Sequence, residues 1–447
     1  MNAHDRIHDV IGVGFGPSNL ALAIALDEIA RRDQPGLSFH FVERQPRLTW
    51  HGGMLLPGSD MQISFLKDLV SLRDPTSPFT FVNYLHEKGR LEAFINRKTF
   101  FPSRVEFNDY LRWAASRFDS HCSYGEEVVA IEPHVAHGLV VALDVRSRSA
   151  AGGERVRRAR NIVIAAGGTP SVPDCFVPFA ADARILHSSG YLDGIAGLGL
   201  ADRPASRVAV IGGGQSAAEI LMDLHGRFSR LRADLVLRAR ALKPADDSPF
   251  VNEIFSPAGT DIFFRQSQEA RRAFLDEFRN TNYAVVDLDL IQRVYDVLYE
   301  QRVEGERRLT VLSGCEVLEA AADAEGIALT LRDRQGGPPE RRAYDAVILA
   351  TGYRRDPDPR FLQHLGPYLR GLSVDRHYRL RTTDDCEPAI FLQGLSETTH
   401  GLSDSLLSVI AVRAREIAEA LVGLRARPSS PVLPGRFARA MRVAASS

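Results

Sequence analysis

The chain has few cysteines, no long hydrophobic run and almost no net charge. Only four of its 447 residues are cysteines, and they lie far apart without a C-x-x-C pair. Neither a redox disulfide nor a zinc site is therefore expected. A formal net charge of −1 argues against nucleic acid as a partner. The apolar stretch Leu20–Leu26 ends at Asp27, so it is too short to serve as a transmembrane segment.

Other absences concern metals and targeting. The 13 histidines show no metal-ligand spacing, so no bound metal is predicted. The first residues lack the shape of a signal peptide, and isolated thiols suit a reducing compartment, so a cytoplasmic protein is expected. The length exceeds one hydrophobic core, and 45% hydrophobic with 25% charged residues is typical of a soluble globular enzyme.

A glycine-rich turn follows the first apolar strand, predicted over residues 8–13. The turn and the start of the next helix contain Gly12, Gly14, Gly16, Pro17 and Ser18. A strand that turns into a helix start offers backbone N–H groups and a helix N-terminus to the phosphates of a dinucleotide. Glu43 ends the next predicted strand, where an acidic side chain binds a ribose hydroxyl.

A second turn of the same design follows a strand predicted over residues 207–211. Gly212, Gly214 and Ala217 match G-x-G-x-x-A, and a helix follows. The next strand ends in Arg238 instead of an acid, and an arginine fork suits the 2′-phosphate that distinguishes NADPH from NADH. Two dinucleotides on one chain suggest a flavin and the nicotinamide that reduces it.

Two further apolar strands, within 161–168 and 344–353, end in glycine turns and indicate passages between domains. We therefore predict an α/β protein with two Rossmann-like domains, the second inserted into the first. The predicted ranges are 1–185 and 345–424 for FAD, 186–344 for NADPH with a mainly helical substrate-binding segment at 243–300, and a poorly ordered tail at 425–447.

Three blocks go beyond a generic dinucleotide-binding protein: residues 50–69, residues 247–255 with 280–283, and residues 399–408. Together with the G-x-G-P-x-N turn and Ala350-Thr-Gly-Tyr353, they resemble the flavin-dependent amine N-hydroxylases of siderophore biosynthesis. The L-ornithine N5-monooxygenases match best, over about residues 8–420. The resemblance implies FAD and NADPH as cofactors, L-ornithine and O₂ as substrates, and N5-hydroxylation through a C4a-hydroperoxyflavin for hydroxamate siderophores.

The resemblance also implies roles for individual residues. FAD would be contacted by the first turn with Glu43, Arg44, Trp50, His51, Met61, Gln62, Val128, Ser405, Leu406 and Leu407. NADPH would be held by Gly213, Gly214, Gln215, Ser216, Arg238, Asn282 and Tyr283. The amino acid would be held by Lys67, Asn252, Glu253, Phe255, Asn282 and Ser408. No acid or base is assigned, and Asn282 would position both substrate and NADP.

Several alternatives stay open at this point. An L-lysine N6-monooxygenase differs by one methylene in its substrate, and a Baeyer–Villiger-type monooxygenase would carry an F-x-G that is absent before His187. A disulfide reductase lacks support because no C-x-x-x-x-C follows the first turn, and a non-catalytic NADPH sensor would show no amine-dependent NADPH oxidation. Ser403 is expected to cap a helix from Leu406. The sequence does not fix the oligomeric state, for which a homo-oligomer, dimer or tetramer, is the expectation.

Overall fold

The computed structural model describes residues 7–200, 206–355 and 359–425, and these form an α/β protein. The strands are β1 (Ile7–Val13), β2 (Phe39–Glu43), β3 (Cys122–Tyr124), β4 (Glu126–Ala136), β5 (Leu139–Ser149), β6 (Glu154–Ile164), β7 (Thr169–Pro170), β8 (Ile185–His187), β9 (Arg207–Ile211), β10 (Arg232–Leu237), β11 (Leu309–Ser313), β12 (Cys315–Ala322), β13 (Ile327–Asp333), β14 (Glu340–Tyr344), β15 (Ala346–Leu349), β16 (Tyr353–Arg354), β17 (Leu369–Val374), β18 (Leu380–Thr382) and β19 (Ala389–Leu392).

The helices lie between these strands, except for the last two, which follow β19. They are α1 (Pro17–Arg32), α2 (Phe81–Glu87), α3 (Leu91–Asn96), α4 (Arg104–Ala115), α5 (Tyr191–Gly197), α6 (Gln215–Arg227), α7 (Pro249–Glu253), α8 (Pro257–Arg265), α9 (Gln268–Phe278), α10 (Leu288–Glu304), α11 (Pro359–Leu362), α12 (Glu397–His400) and α13 (Ile410–Arg425). Within the described ranges, no helix is long and apolar enough to cross a membrane.

The first sheet is parallel at its centre and carries the first glycine turn. Strands β3, β2, β1 and β6 lie side by side in that order, and β19 pairs in parallel with the end of β6. The hairpin of β4 and β5 extends the other half of β6 in antiparallel fashion. Helices α1 and α13 pack together, and their apolar faces are buried in the largest core cluster. The turn after β1 therefore sits at the carboxyl edge of a covered parallel sheet.

The second sheet is wholly parallel and lies between β6 and β19 in the chain. Its strand order is β11, β10, β9, β15, β8, and the antiparallel β12, β13 and β14 form a separate three-stranded sheet beside it. Helix α6 follows β9 directly, as α1 follows β1. The prediction of two Rossmann-like units, one inserted into the other, is confirmed.

The pairing of β15 places one domain boundary later in the chain than predicted. Strand β15 pairs with β9 and β8, so residues 346–349 belong to the second sheet and not to the returning segment predicted from residue 345. The return begins at β16, which pairs with β7 in a two-stranded ribbon. Both chain passages between the two units thus run side by side. Of the predicted tail at 425–447, Arg425 ends α13 and residues 426–447 lie outside the described residues.

The helix expected from Leu406 is also wrong. Residues 402–405 and 407–409 form two short 3-10 turns, separated by an extended Leu406 with φ −107° and ψ 164°. The α-helix starts only at Ile410. A buried ion pair joins Asp404 of the first turn to Arg413 of this helix at 2.9 Å.

Candidate active site

The first glycine turn combines tight packing with one open face. A Cβ at Gly12 would lie 2.2 Å from the Phe41 ring, and one at Gly14, whose φ is +82°, would lie 2.6 Å from the Ala165 carbonyl oxygen. A Cβ at Gly16 would meet no heavy atom within 4 Å. Helix α1 begins immediately afterwards, at Pro17. The turn is therefore packed against the sheet on one side and open to a ligand on the other.

The second turn is built in the same way. Gly212 has φ +152°, and a Cβ there would lie 2.3 Å from the Ala350 carbonyl oxygen. Gly214 precedes the first residue of α6. Backbone N–H groups at the start of a helix attract phosphate, so this turn offers a second anion site.

Both turns open onto one cavity of about 2790 Å³. Single ligand pockets are usually about 300–1,000 Å³, so this space suits more than one large ligand. Most of the predicted contacts line it. They are Gly14, Gly16, Pro17, Ser18, Glu43, Arg44, Trp50, His51, Met61, Gln62, Val128, Gly213, Gly214, Gln215, Ser216, Arg238, Asn252, Phe255, Asn282, Tyr283, Ser405, Leu406, Leu407 and Ser408.

Three predicted residues are not among the lining residues of the cavity: Gly12, Lys67 and Glu253. Gly12 lies behind the turn against Phe41. Glu253 is exposed on α7. Lys67 is partly buried, and this burial alone lowers the pKa of its ammonium. Among the described residues it has no carboxylate partner, so its cation is unneutralised.

Glu43 stands at the end of β2, where the ribose contact was predicted. One carboxylate oxygen accepts a hydrogen bond from the Phe15 backbone N–H at 2.7 Å, and the other accepts one from Gln45 N–H at 2.8 Å. These bonds fix the carboxylate beside the glycine turn. It retains free lone pairs, because each carboxylate oxygen can accept more than one hydrogen bond.

His51 is held in a left-handed backbone conformation with φ +51° and faces the cavity next to Trp50. The His51 side chain is open to the cavity, yet desolvation by the surrounding protein, with Arg104 and Arg355 nearby, lowers the pKa of His51 to about 4. The imidazole is therefore neutral at neutral pH. A neutral ring adds no positive charge to this part of the cavity.

A polar network joins the two units across the cavity. Arg104 on α4 makes a two-pronged ion pair with Glu219 on α6, with N–O distances of 2.7 and 2.6 Å. The Gln215 amide donates to Glu219 at 2.9 Å and to Asp287 at 2.9 Å, and its oxygen accepts the Asp287 N–H at 2.8 Å. The other Asp287 oxygen accepts from the Gln62 amide at 3.0 Å.

This network changes what two predicted contacts do. Both hydrogens of the Gln215 side-chain amide are donated within the protein, so this side chain could contact a nucleotide only as an acceptor, through its oxygen. Gln62 is tied by its nitrogen to Asp287, which sequence reasoning missed. Burial raises the pKa of Asp287, and the hydrogen bond from Gln62 opposes that rise. The only sequence signal for Asp287 is its place directly before the amphipathic helix α10, at the N-cap position.

A second group of polar residues surrounds the far wall. The Tyr283 hydroxyl donates to Glu397, and burial followed by this bond raises the pKa of Tyr283 to about 12. Burial also raises the pKa of Glu397. Arg355 donates to the Ser405 carbonyl oxygen at 3.1 Å. Glu397 and Arg355 line the cavity and were not predicted, although each lies within a few residues of a block that was.

Arg413 supports the cavity wall from behind. This arginine is 1% exposed, pairs with Asp404 at 2.9 Å and donates to the Ser18 hydroxyl at 2.9 Å. Asp404 and Ser18 both line the cavity. One buried cation thereby joins the start of α1, just after the first glycine turn, to Asp404, which directly precedes the segment at 405–408.

The donor set fits two dinucleotides: two helix N-termini for phosphates, Glu43 for a ribose and Arg238 for a further phosphate. Fold and cavity together define a two-dinucleotide oxidoreductase. A family model described as L-lysine 6-monooxygenase/L-ornithine 5-monooxygenase matches residues 6–355. The chain belongs to this family.

Individual relatives match over nearly the whole chain. An L-ornithine N(5)-monooxygenase of Pseudomonas aeruginosa is 50% identical over 97% of this chain and 96% of its own. A solved ornithine hydroxylase from the same species superposes with a TM-score of 0.90, covering 94% of this chain and 100% of its own at 50% identity. An ornithine N-hydroxylase of Kutzneria sp. 744, solved with reduced FAD, NADP⁺ and L-ornithine, gives 0.88 at 40% identity, covering 94% and 100%.

Proposed function

We propose that this protein is an FAD-dependent L-ornithine N5-monooxygenase that consumes NADPH and O₂. The observation that carries the proposal is the single cavity onto which both glycine turns open, because hydride transfer requires two cofactors in contact. The 50% identical relative over 97% of the chain supports the substrate. The balanced reaction takes ornithine, O₂, NADPH and one proton to N5-hydroxyornithine, NADP⁺ and water.

The residues at the first turn would hold FAD. The N–H groups at the start of α1 would bind its diphosphate and Glu43 its adenosine ribose, while Trp50, His51, Met61 and Leu407 line the part of the cavity that would hold its flavin half. When bound, FAD accepts hydride from NADPH and supplies the oxygen chemistry that no side chain can perform. The protein's own contribution is to bind, orient and exclude water.

NADPH would lie on the second turn, with Arg238 on its 2′-phosphate. The Arg238 side chain is exposed at the end of β10 and lines the same cavity. A phosphate would pair with its guanidinium fork. Asn282 and Tyr283 lie between this region and the segment at 405–408, where the nicotinamide would meet the flavin.

The substrate amine must be neutral to attack an electrophilic oxygen. With a reference pKa of about 10.4, roughly 1 in 250 amines is neutral at pH 8. An apolar pocket raises this fraction, because burial disfavours the ammonium. Buried Phe255 and neutral His51 would provide such surroundings, while Asn252 and Ser408 offer polar contacts. The Lys67 ammonium would pair with the α-carboxylate; this role rests on the family resemblance, since Lys67 does not line the cavity.

Lysine N6-hydroxylation is the second candidate, because the family model includes both substrates. The two amino acids differ by one methylene, which adds about 1.3 Å of reach, and a misplacement of about 1 Å can cost roughly 100-fold in rate. We expect lysine to bind and to stimulate NADPH oxidation, with hydrogen peroxide released in place of hydroxylysine.

The test compares hydroxylated product with NADPH consumed for L-ornithine and L-lysine in parallel. A product-to-NADPH ratio near one for ornithine, and a low ratio for lysine, supports the assignment. Efficient, well-coupled lysine hydroxylation with poor ornithine turnover would reverse it. No amine-dependent NADPH oxidation with either substrate would point to a non-catalytic sensor.

The proposal extends to the fate of the product, the oligomeric state and the location of the protein. The product, N5-hydroxyornithine, carries the N-hydroxy group of a hydroxamate, so the enzyme would supply it for a hydroxamate siderophore. A homo-oligomer, dimer or tetramer, stays a prediction, as do the domain roles. A cytoplasmic location is consistent with four free cysteines.

A further inference from the structure

Gln393 is a buried residue of the cavity wall that sequence reasoning did not identify. It directly follows β19, is 1% exposed and lines the cavity. Its side-chain nitrogen donates to the Asn19 side-chain oxygen at 2.9 Å. Its side-chain oxygen has no hydrogen-bond partner among the described residues. A buried acceptor without a donor is costly, and such groups are rare in folded proteins.

The orientation of this amide is fixed by its neighbours. The Asn19 nitrogen donates to two backbone carbonyls of the first glycine turn, Gly14 at 2.7 Å and Val13 at 3.2 Å. Asn19 must therefore present its oxygen to Gln393, and Gln393 must present its nitrogen to Asn19. If Gln393 were flipped, its oxygen would face the Asn19 oxygen. The Gln393 oxygen is consequently the atom left without a partner.

An unpaired acceptor selects the kind of ligand group it can bind. Phosphate oxygens only accept hydrogen bonds, so the free Gln393 oxygen cannot bind the diphosphate, whereas a hydroxyl group can donate to it. The sheet order places Glu43 after β2, the glycine turn after β1, and Gln393 after β19 on the far side of β6. With the adenosine ribose at Glu43 and the diphosphate at the turn, the flavin half of FAD lies on the Gln393 side.

We propose that the Gln393 side-chain oxygen accepts a hydrogen bond from a ribityl hydroxyl of FAD. This inference rests on FAD as the cofactor at the first turn. The Gln393–Asn19 pair joins that contact directly to the turn, so the ribityl chain and the diphosphate are held by one connected set of hydrogen bonds. Gln393 is thus a cofactor-binding residue whose side-chain oxygen gains its hydrogen-bond donor when FAD binds.

The test measures binding of FAD and of analogues that each lack one ribityl hydroxyl to the flavin-free protein, by quenching of flavin fluorescence. With the natural chain, one analogue should bind about 5- to 150-fold more weakly than FAD, the range expected for one buried hydrogen bond. With Gln393→Met, a variant of similar size, FAD itself should weaken by a similar factor, and that analogue should then bind as FAD does.

Gln266 provides a matched control, because its side-chain oxygen is also buried without a partner but does not line the cavity. Gln266→Met should show the natural pattern of analogue affinities. Equal affinity of the natural chain for FAD and every analogue would overturn the proposal without needing any variant. The same discrimination in Gln393→Met as in the natural chain would also overturn it. Either result would leave the hydroxylase assignment standing, because ornithine hydroxylation is measured separately.

Discussion

The ion pair between Arg104 and Glu219 predicts how the two units unfold. Arg104 belongs to the unit of the first sheet and Glu219 to the inserted unit, and their side chains are only 12% and 7% exposed. Burial raises the pKa of Glu219, and the guanidinium opposes that rise. The perturbation is Glu219→Leu, which removes the carboxylate and leaves the arginine without its partner.

The expected loss of stability follows from the desolvation of the remaining charge. Removing one member of a buried pair costs about 3–5 kcal/mol, because the remaining charge stays buried. Arg104 also lines the cavity and can reach water there, so a value near 3 kcal/mol is expected. Arg104→Met should cost a similar amount. The double variant should cost less than the sum, since replacing both charges by apolar groups is often close to neutral.

The chain offers a convenient probe, because both of its tryptophans, Trp50 and Trp113, lie in the unit of the first sheet. Tryptophan fluorescence in urea therefore reports on that unit, while far-ultraviolet circular dichroism reports on both. The two transitions should coincide in the natural chain and separate in either single variant. A loss of less than 1 kcal/mol in the free energy of unfolding of each single variant would refute this account of the contact. Losses in the two single variants that simply add in the double variant would refute it as well.

Three further predictions follow. Lys67→Ala should raise the KM for ornithine about 10- to 150-fold, the value of one charge-assisted contact, while FAD stays bound. Lys88→Ala is the surface control, and an unchanged KM in Lys67→Ala would exclude pairing of Lys67 with the substrate carboxylate. Arg238→Ala should weaken NADPH but hardly NADH in steady-state kinetics, whereas Arg240→Ala should affect neither, and equal losses would mean a structural arginine. Burial lowers the pKa of His400 from 6.5 to about 4. The unfolded chain thus takes up a proton that the folded chain does not, and stability should fall from pH 6.5 towards pH 4; a His400→Gln variant with the same slope in urea titrations would contradict this.

The sequence predicted the parts of the site that local rules determine. A strand, a glycine turn and a helix start follow one another in the chain, so both nucleotide turns could be found from short stretches. Glu43 and Arg238 follow from the same rule, since Glu43 ends the strand after the first turn and Arg238 directly follows the strand after the second. Both residues line the cavity, and their contacts with the two nucleotides stay predictions.

The parts that were missed depend on contacts between distant residues. The bond between Gln393 and Asn19 joins residues 374 positions apart, and the bond between Gln215 and Asp287 spans 72. No periodicity in the chain records such a pairing. Gln215 was predicted as a nucleotide contact because it lies in the turn, yet its side chain is engaged by the protein. Hydrogen-bond partners of long polar side chains follow from packing, which only the folded chain reveals.

The short ribbon of β7 and β16 makes the inserted unit a removable cassette. Thr169 pairs with Arg354 and Pro170 with Tyr353, so the chain leaves and re-enters the host at adjacent points. Domains whose ends lie together tolerate transplantation well. A tight two-residue hairpin could close the gap left by excision. Nicotinamide preference could then be exchanged between relatives by swapping this cassette, and helices α7 to α9, which are predicted to bind the substrate, would be exchanged with it.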